Sequence, residues 1–203
     1  IPKRDWSSDV CSSDLLGGYA PTVTTPLERA LSLIADVPDY PKPGILFKDI
    51  TPLLADGDGF SVVIDELARH IKSLKTGIDA IVGIESRGFI LGGALAKALG
   101  LGFVTVRKPG KLPRDVHRKD YQLEYGFDAL EMHKDLLDPK HNVVIVDDVL
   151  ATGGTALACH ELVEYTRART IAHVFLLEIT FLQGRSLINK THPEVEIISL
   201  LKT

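Results

Sequence analysis

Two adjacent carboxylates followed by a loop of small residues form the part of this sequence best suited to chemistry. Asp147 and Asp148 come directly after the β-branched run 143–146, which is typical of a strand buried on both faces. The loop that follows opens a segment with helical apolar spacing and consists of Ala151, Thr152, Gly153, Gly154 and Thr155. A strand, loop and helix in this order aim backbone N–H groups and the positive helix end at one point, which favours phosphate.

The acidic pair calls for a different part of the same ligand. Asp147 and Asp148 would repel a phosphate, so they are better suited to hydroxyl groups or a hydrated cation. A sugar phosphate meets both demands, and we predict that one binds here. The alternative is an ordinary strand, turn and capped helix, which would account for one Asp and one Gly but not for the whole order.

Cations follow two other predicted strands. Arg87 lies in Glu-Ser-Arg-Gly at 85–88, where the alternative to anion binding is a local surface ion pair with Glu85. Arg107, Lys108 and Lys111 lie in a loop stiffened by Pro and Gly. A cationic loop is often only a solvated surface, but its position after a strand that should face the same crevice favours polyphosphate binding.

The elements that must position these residues alternate along the chain. Apolar runs predict strands at 78–84, 103–106, 143–146, 171–177 and 195–200, with amphipathic helices at about 61–74 and after residue 155. A capping box predicts a helix start at Thr25-Pro26-Leu27-Glu28. The polar segment 114–125 is predicted to be a lid or a disordered loop, and 127–136 a strand. We therefore expect a mostly parallel α/β sheet flanked by helices.

Composition limits the function classes. The 203 residues are 45% hydrophobic and 25% charged with a net charge of −4, which indicates a globular domain and argues against a general nucleic-acid binder. No apolar run approaches eighteen residues, so we expect no membrane span. Two Cys and seven scattered His give no disulfide framework and no protein-built metal site. A cytoplasmic setting is the default expectation.

The first residues fit nothing that follows. The string IPKRDWSSDVCSSDL at 1–15 has no consistent period and looks like translated sequencing-adaptor sequence. We expect residues 1–20 to be a non-native leader, with a natural disordered tail as the alternative, and residues 21–203 to form one domain.

The stretch 147–155 resembles the phosphoribosyl-pyrophosphate (PRPP) signature of type I phosphoribosyltransferases, and its form is most similar to the adenine branch. In that family the loop holds the 5′-phosphate and the acidic pair faces the ribose hydroxyls. The segment 85–88 is similar to the family's pyrophosphate loop, and Arg-Lys-x-x-Lys-Leu-Pro at 107–113 matches its cationic loop. The resemblance assigns pyrophosphate to Arg87, Arg107, Lys108 and Lys111. It also implies the family fold, with a small N-terminal hood and a flexible lid.

The hood is the part of the resemblance that concerns the base. Pro-x-Pro-Gly-x-x-Phe-Lys-Asp-Ile at 41–50 is similar to the hood of adenine enzymes, whose aromatic ring stacks on the purine. This implies that Phe47 stacks on adenine, that the backbone at Leu46 and Lys48 reads the base edge, and that Ile179 covers the other face. Core packing is the alternative for Phe47 and Ile179.

The resemblance also implies the reaction: adenine and PRPP give AMP and pyrophosphate, with Mg²⁺ bound through PRPP. Related hypoxanthine-guanine enzymes carry an Asp where this chain has Ala151, so another group must manage the purine proton. Tyr-x-Leu-Glu-Tyr-Gly at 121–126 resembles the lid, and our hypothesis is that Glu124 fills that role, with Tyr125 shielding the site. Asp147 and Asp148 would favour positive charge on the ribose ring. A homodimer is implied as well.

Two other functions stay open on the sequence alone. A phosphoribosyltransferase for xanthine or hypoxanthine would share the phosphate half of the site. A non-catalytic PRPP-sensing regulator would share the fold, but it should carry a basic patch or an added DNA-binding segment, and neither is visible.

Overall fold

The structure is a computed structural model that describes residues 25–122 and 127–203. The predicted leader 1–20 and the two lid candidates, Glu124 and Tyr125, lie outside these ranges. In chain order the strands are β1 (Ala35–Pro38), β2 (Leu46–Asp49), β3 (Ala80–Ile84), β4 (Gly102–Val106), β5 (Val116–Gln122), β6 (Phe127–His133), β7 (Asn142–Leu150), β8 (Arg169–Glu178) and β9 (Glu196–Lys202). The helices are α1 (Pro26–Leu31), α2 (Thr51–Ala55), α3 (Gly57–Lys72), α4 (Arg87–Leu99), α5 (Gly154–Tyr165) and α6 (Gly184–Thr191).

Five parallel strands make the central sheet, in the order β4-β3-β7-β8-β9. This confirms the predicted α/β architecture. The chain order reverses between β3 and β7, because β3 continues to β4 on one side while β7 continues to β8 on the other. In open α/β sheets the crevice at the carboxyl ends of two such strands is where ligands bind.

Both faces of the sheet are covered, which explains the continuous apolar runs. Val144 and Val146 of β7 point into one buried cluster with side chains of α3 and α4. Val143 and Ile145 point the other way, into a cluster formed with α5 and the β5–β6 hairpin. All four residues are fully buried. A strand packed on both sides has no polar face, so it reads as an unbroken apolar run.

The structure extends or changes several predicted elements. The capping box at Thr25 and Glu28 is confirmed, with both reciprocal hydrogen bonds present. The predicted loop 114–125 differs, because residues 116–122 form β5, which pairs antiparallel with β6 and packs on α5. Strand β7 also continues beyond the acidic pair to Leu150. Helix α6 and strand β1 were not predicted from the sequence.

No helix within the described ranges combines the length and the apolar character that a membrane crossing needs.

Candidate active site

A cavity of about 360 Å³ opens at the carboxyl edge of the sheet, between the ends of β3 and β7. This is the crevice that the strand order predicts. Its lining includes Glu85, Arg87 and Lys108 from the β3 and β4 side, and the acidic pair and following loop from β7. The β5–β6 hairpin closes it with Tyr121, Asp128 and Leu130.

The loop after β7 has the geometry of an anion site. Gly153 caps α5 with a φ of +87°, a backbone conformation that favours glycine. A glycine cap provides no side-chain acceptor, so the N–H groups of the first turn of α5 stay available to a ligand. The cavity wall includes Ala151, Thr152, Gly153 and Thr155. Gly154 begins α5 and is not among the residues that line the cavity.

A second glycine lets α6 approach this loop closely. A Cβ at Gly184 would lie 2.2 Å from the carbonyl oxygen of Ala151 and 3.0 Å from the nitrogen of Gly153. The backbone of α6 therefore supports the loop from behind, at a separation that only glycine permits.

The acidic pair lies at the floor of the cavity, within β7. Asp148 is buried, and its backbone N–H donates to Oδ1 of Asp147 at 2.9 Å. Gly88 lets the start of α4 approach closely, since a Cβ there would lie 2.7 Å from the oxygen of Val146 and 3.0 Å from Oδ1 of Asp147. Burial and the neighbouring carboxylate raise the pKa of Asp147 well above its usual range. Burial also raises the pKa of Asp148, against the opposing effect of Arg87.

Arg87 joins the acidic pair to the hood. Its Nε lies 3.1 Å from Oδ2 of Asp148, and its guanidinium carbon lies 5.5 Å from the centre of the Phe47 ring. The alternative of a local ion pair with Glu85 is not what the structure shows, because Asp148 is its carboxylate partner. Arg87 is thus held between the two halves of the site.

Glu85 instead gathers the cations of the next loop. It accepts hydrogen bonds from Arg107 Nε at 3.2 Å and from the backbone N–H of Lys108 at 3.0 Å, and it pairs with Lys111. Burial alone would raise the pKa of Glu85, but these donors outweigh it and lower the pKa to about 2. The carboxylate therefore stays charged and holds the cationic loop against the end of β3.

Lys108 faces the hairpin. Its ammonium pairs with Asp128 and lies 3.4 Å from the hydroxyl of Tyr121. The Tyr121 hydroxyl donates to Asp128 at 3.2 Å and accepts from Thr155 at 3.4 Å. These contacts connect the loop 151–155, the cationic loop 107–113 and the hairpin in one network.

A second cavity, of about 90 Å³, lies beside the first and is largely apolar. Its walls include all four residues predicted to contact a base, namely Leu46, Phe47, Lys48 and Ile179. Tyr40 supports the Phe47 ring edge-on with centroids 5.1 Å apart, and the backbone N–H of Ile179 donates to Leu150 at 2.9 Å. The Lys48 ammonium pairs with Asp36 at 2.6 Å. Arg87, Asp148 and Val149 line both cavities.

The structure thus brings most predicted site residues to one edge of the sheet. Sequence reasoning missed the carboxylate partners of the cations, Glu85 and Asp128, and the bridging hydroxyl of Tyr121. Asp128 and Tyr121 lie in a segment whose pairing becomes visible only when the hairpin folds. The two lid candidates stay untested, because they lie outside the described residues.

Comparison with known proteins gives a consistent result. A family model described as a phosphoribosyl transferase domain matches residues 53–199. The adenine phosphoribosyltransferase of Francisella philomiragia is 54% identical over 155 residues, which cover 76% of this chain and 89% of that protein. The Synechococcus sp. enzyme of the same name is 54% identical over 170 residues, covering 84% and 96%.

Solved structures agree with the sequence relatives. The adenine phosphoribosyltransferase of Thermoanaerobacter pseudethanolicus superposes with a TM-score of 0.82 at 47% identity, covering 87% of this chain and 99% of that one. The Saccharomyces cerevisiae enzyme, solved with an imino-altritol bisphosphate and adenine, has a TM-score of 0.82 at 40% identity, covering 88% and 100%.

Proposed function

The chain belongs to the phosphoribosyltransferase family, among the adenine phosphoribosyltransferases, and from this premise we propose how its residues carry out the transfer. The reaction moves the 5-phosphoribosyl group of PRPP to adenine and gives AMP and pyrophosphate. The relatives at 50–57% identity carry this name, and they favour adenine over the other purines and over a non-catalytic regulator.

One observation carries the assignment of residues. A cavity lined by charged side chains and by the loop 151–155 meets a largely apolar cavity at Arg87, Asp148 and Val149. A nucleotide needs this arrangement, because its phosphate and ribose are polar while its base is a flat ring. The 5′-phosphate would lie on the loop from Ala151 to Thr155, and the base between Phe47 and Ile179.

Catalysis then rests on charge and position. Pyrophosphate leaves the ribose C1 through a transition state with oxocarbenium character, so the site must stabilise negative charge on the leaving group and positive charge on the ring. Arg87, Arg107, Lys108 and Lys111 are assigned to the leaving group. Each is paired with a carboxylate in this structure, so binding would exchange a protein carboxylate for a phosphate oxygen.

Asp147 and Asp148 are assigned to the ribose. As carboxylates they accept hydrogen bonds from hydroxyl groups, and their charge favours the developing positive ring. Asp148 is buried and Asp147 faces the same cavity, so little water screens this effect.

The donors at this edge also fit Mg²⁺. Carboxylate oxygens are the ligands that this ion prefers in proteins, and the raised pKa of Asp147 reflects a buried pair without enough positive charge nearby. We propose that Mg²⁺ enters with PRPP on the side of Asp147 and Asp148. When bound, it supplies charge neutralisation to the pyrophosphate.

A panel of bases tests the function. The chain is incubated with PRPP, Mg²⁺ and, separately, adenine, hypoxanthine, guanine or xanthine, and nucleotide formation is followed by chromatography. We expect AMP from adenine and no product from the other bases. Nucleotide formation from hypoxanthine instead of adenine would contradict the assignment of the slot, and no nucleotide from any base would contradict the function.

Glu124 is our candidate for proton transfer at the purine, because Ala151 places no carboxylate in the loop. We expect Glu124→Gln to lower kcat by about 10²–10⁴-fold with little change in the KM for PRPP. Steady-state kinetics with varied PRPP measure both. An unchanged kcat would assign proton transfer to another group or to water.

We also propose that the enzyme is a cytoplasmic homodimer whose cationic loop reaches towards the neighbouring subunit's site. Arg107 and Lys111 lie on this loop, with about one third and one half of their side chains exposed. Sedimentation velocity should give twice the mass of the chain. A monomer that is fully active would contradict the contribution of a second subunit.

A further inference from the structure

A cluster of imidazoles lies at the carboxyl-terminal half of α5, away from the phosphate loop. His160 and Glu164 are one helical turn apart, with His160 Nε2 3.8 Å from Glu164 Oε1. His192, at the end of α6, stacks on His160 with ring centroids 3.7 Å apart. Ligand atoms of these three residues all lie within 4.8 Å of one another. No spacing in the sequence indicates this group, because His192 comes from a different helix.

A fourth residue orients the innermost imidazole. His160 is buried, and its Nδ1 lies 3.0 Å from Nε2 of His173 on β8. When Nδ1 carries the proton and donates to His173, the lone pair of Nε2 faces Glu164. Histidines that bind a metal through one nitrogen usually donate a hydrogen bond from the other, most often to a carboxylate, a backbone carbonyl or water; here the acceptor would be an imidazole. Nδ1 of His173 is itself buried and has no hydrogen-bond partner among the described residues.

We propose that His160, Glu164 and His192 bind one divalent transition-metal ion of the Zn²⁺ class. Two imidazoles and one carboxylate are a known three-ligand set for zinc, with water in the fourth position, and imidazole favours such ions over Mg²⁺. The ion would join α5 to the end of α6. Both helices start at the phosphate loop, where Gly153 and Gly184 are in contact, so the site would connect their opposite ends.

Binding requires a small rearrangement. Tetrahedral coordination places ligand atoms roughly 3.3 Å apart, whereas the rings of His160 and His192 are nearly parallel, 18° apart. The His192 ring must tilt and the Glu164 carboxylate must swing inward. Glu164 is about half exposed and His192 lies at a helix end, so both can move while His160 stays in place.

The experiment uses the full chain without an affinity tag, freed of metal by a chelator. Co²⁺ is added and visible absorption is followed, then Zn²⁺ is added in competition, and thermal unfolding is recorded with and without Zn²⁺. We expect one saturable site per chain, displacement of Co²⁺ by Zn²⁺, a higher Tm with Zn²⁺, and no competition from Mg²⁺.

Variants locate the site. His192→Ala and Glu164→Gln, at partly exposed positions that should not prevent folding, are each expected to weaken Co²⁺ binding by about tenfold or more. His70→Ala is the matched control, because Glu66 and His70 form the same spacing on α3 at 3.3 Å but belong to no three-ligand cluster of the described residues. Asp147→Asn, which alters the acidic pair, should also leave binding unchanged. Absence of a saturable site, or a site that survives in both His192→Ala and Glu164→Gln, would overturn the proposal.

Discussion

Asp147 is placed where function and stability oppose each other. Its carboxylate faces the cavity that we assign to ribose, yet it lies beside a second carboxylate, that of Asp148. Burial and this neighbour raise its pKa, so the folded protein binds the proton more tightly than the unfolded chain does. Stability contributed by the protonated group is present at low pH and is lost as pH rises through the interval between the ordinary and the raised pKa.

Asp147→Asn should therefore separate the two effects. The amide oxygen can still accept from the N–H of Asp148, while the like-charge repulsion disappears. We expect a Tm increase of about 2–4 °C for each kcal/mol gained, larger at pH 8 than at pH 4, and a kcat/KM for PRPP reduced by about tenfold to a hundredfold. Calorimetry at two pH values and steady-state kinetics measure these changes. A variant that is less stable at pH 8 would contradict the argument.

Glu85 shows the opposite linkage. Despite burial, the donors around it lower its pKa to about 2, so the stability that it contributes is present above the ordinary carboxylate pKa and is lost as pH falls towards 2. We expect Glu85→Gln to lower the Tm at pH 7, because Arg107 and Lys111 lose their shared counter-charge, and the difference from wild type should vanish between about pH 4.5 and 2.

Glu66→Gln serves as the control for this experiment. Glu66 pairs with Arg69 on the surface of α3, where an ion pair contributes about 0–1 kcal/mol. Thermal unfolding across this pH range should show a small effect for Glu66 and a larger one for Glu85. Equal effects would mean that Glu85 is an ordinary surface carboxylate.

At the scale of elements, α6 can approach the phosphate loop closely only because residue 184 is a glycine. A Cβ at Gly184 would lie 2.2 Å from the oxygen of Ala151, so one of the two backbones must shift. We expect Gly184→Ala to cost about 1–3 kcal/mol and to raise the KM for PRPP, measured by denaturant unfolding and kinetics.

Gly93 gives the matched comparison, because it lies inside α4 and a Cβ there would meet no atom of the described residues within 4 Å. Gly93→Ala should stabilise the protein by about 0.5–1 kcal/mol through helix propensity and leave the KM unchanged. A neutral Gly184→Ala variant would show that the loop tolerates displacement.

The sequence predicted those elements whose burial leaves a regular pattern. Strands β3, β7 and β8 were visible because both of their faces are covered. Helix α6 was missed because only Gly184 and Ile188 are buried along it, which is too few for an apolar stripe. Strand β5 was missed because it consists mostly of polar residues. Their partners are not visible in the sequence; Lys119, for example, pairs with a carboxylate of α5.

The same reasoning explains which parts of the candidate site could be predicted from the sequence. The acidic pair and the phosphate loop are contiguous in sequence, so their order alone indicates their chemistry. The pairing of Lys108 with Asp128, or of Arg107 with Glu85, joins residues about twenty positions apart. Such pairs depend on strand order and hairpin register, which periodicity does not determine.

At the scale of the whole molecule, the organised part of the chain is expected to be independent of its first residues. Within the described residues, the capping box at Thr25 closes α1 locally, and the buried core starts at Ala30. We propose that folding of the domain does not require residues 1–20.

Removal of residues 1–20 should leave both folding and activity intact. We expect the Tm and the kcat/KM for PRPP to match those of the full chain, measured by calorimetry and steady-state kinetics. A lower Tm would show that these residues contribute to the folded domain.

The pairing of every assigned cation with a carboxylate has a consequence for how ligands arrive. Arg87 pairs with Asp148, Lys108 with Asp128, and both Arg107 and Lys111 with Glu85. These cations therefore present little uncompensated positive charge, and the chain as a whole carries a net charge of −4. Electrostatic steering needs an unbalanced potential that extends beyond about 8 Å at physiological ionic strength. A polyanion should therefore reach this crevice by ordinary diffusion, at a rate that changes little with salt, and be selected at contact distance by the exchange of one counter-charge for another.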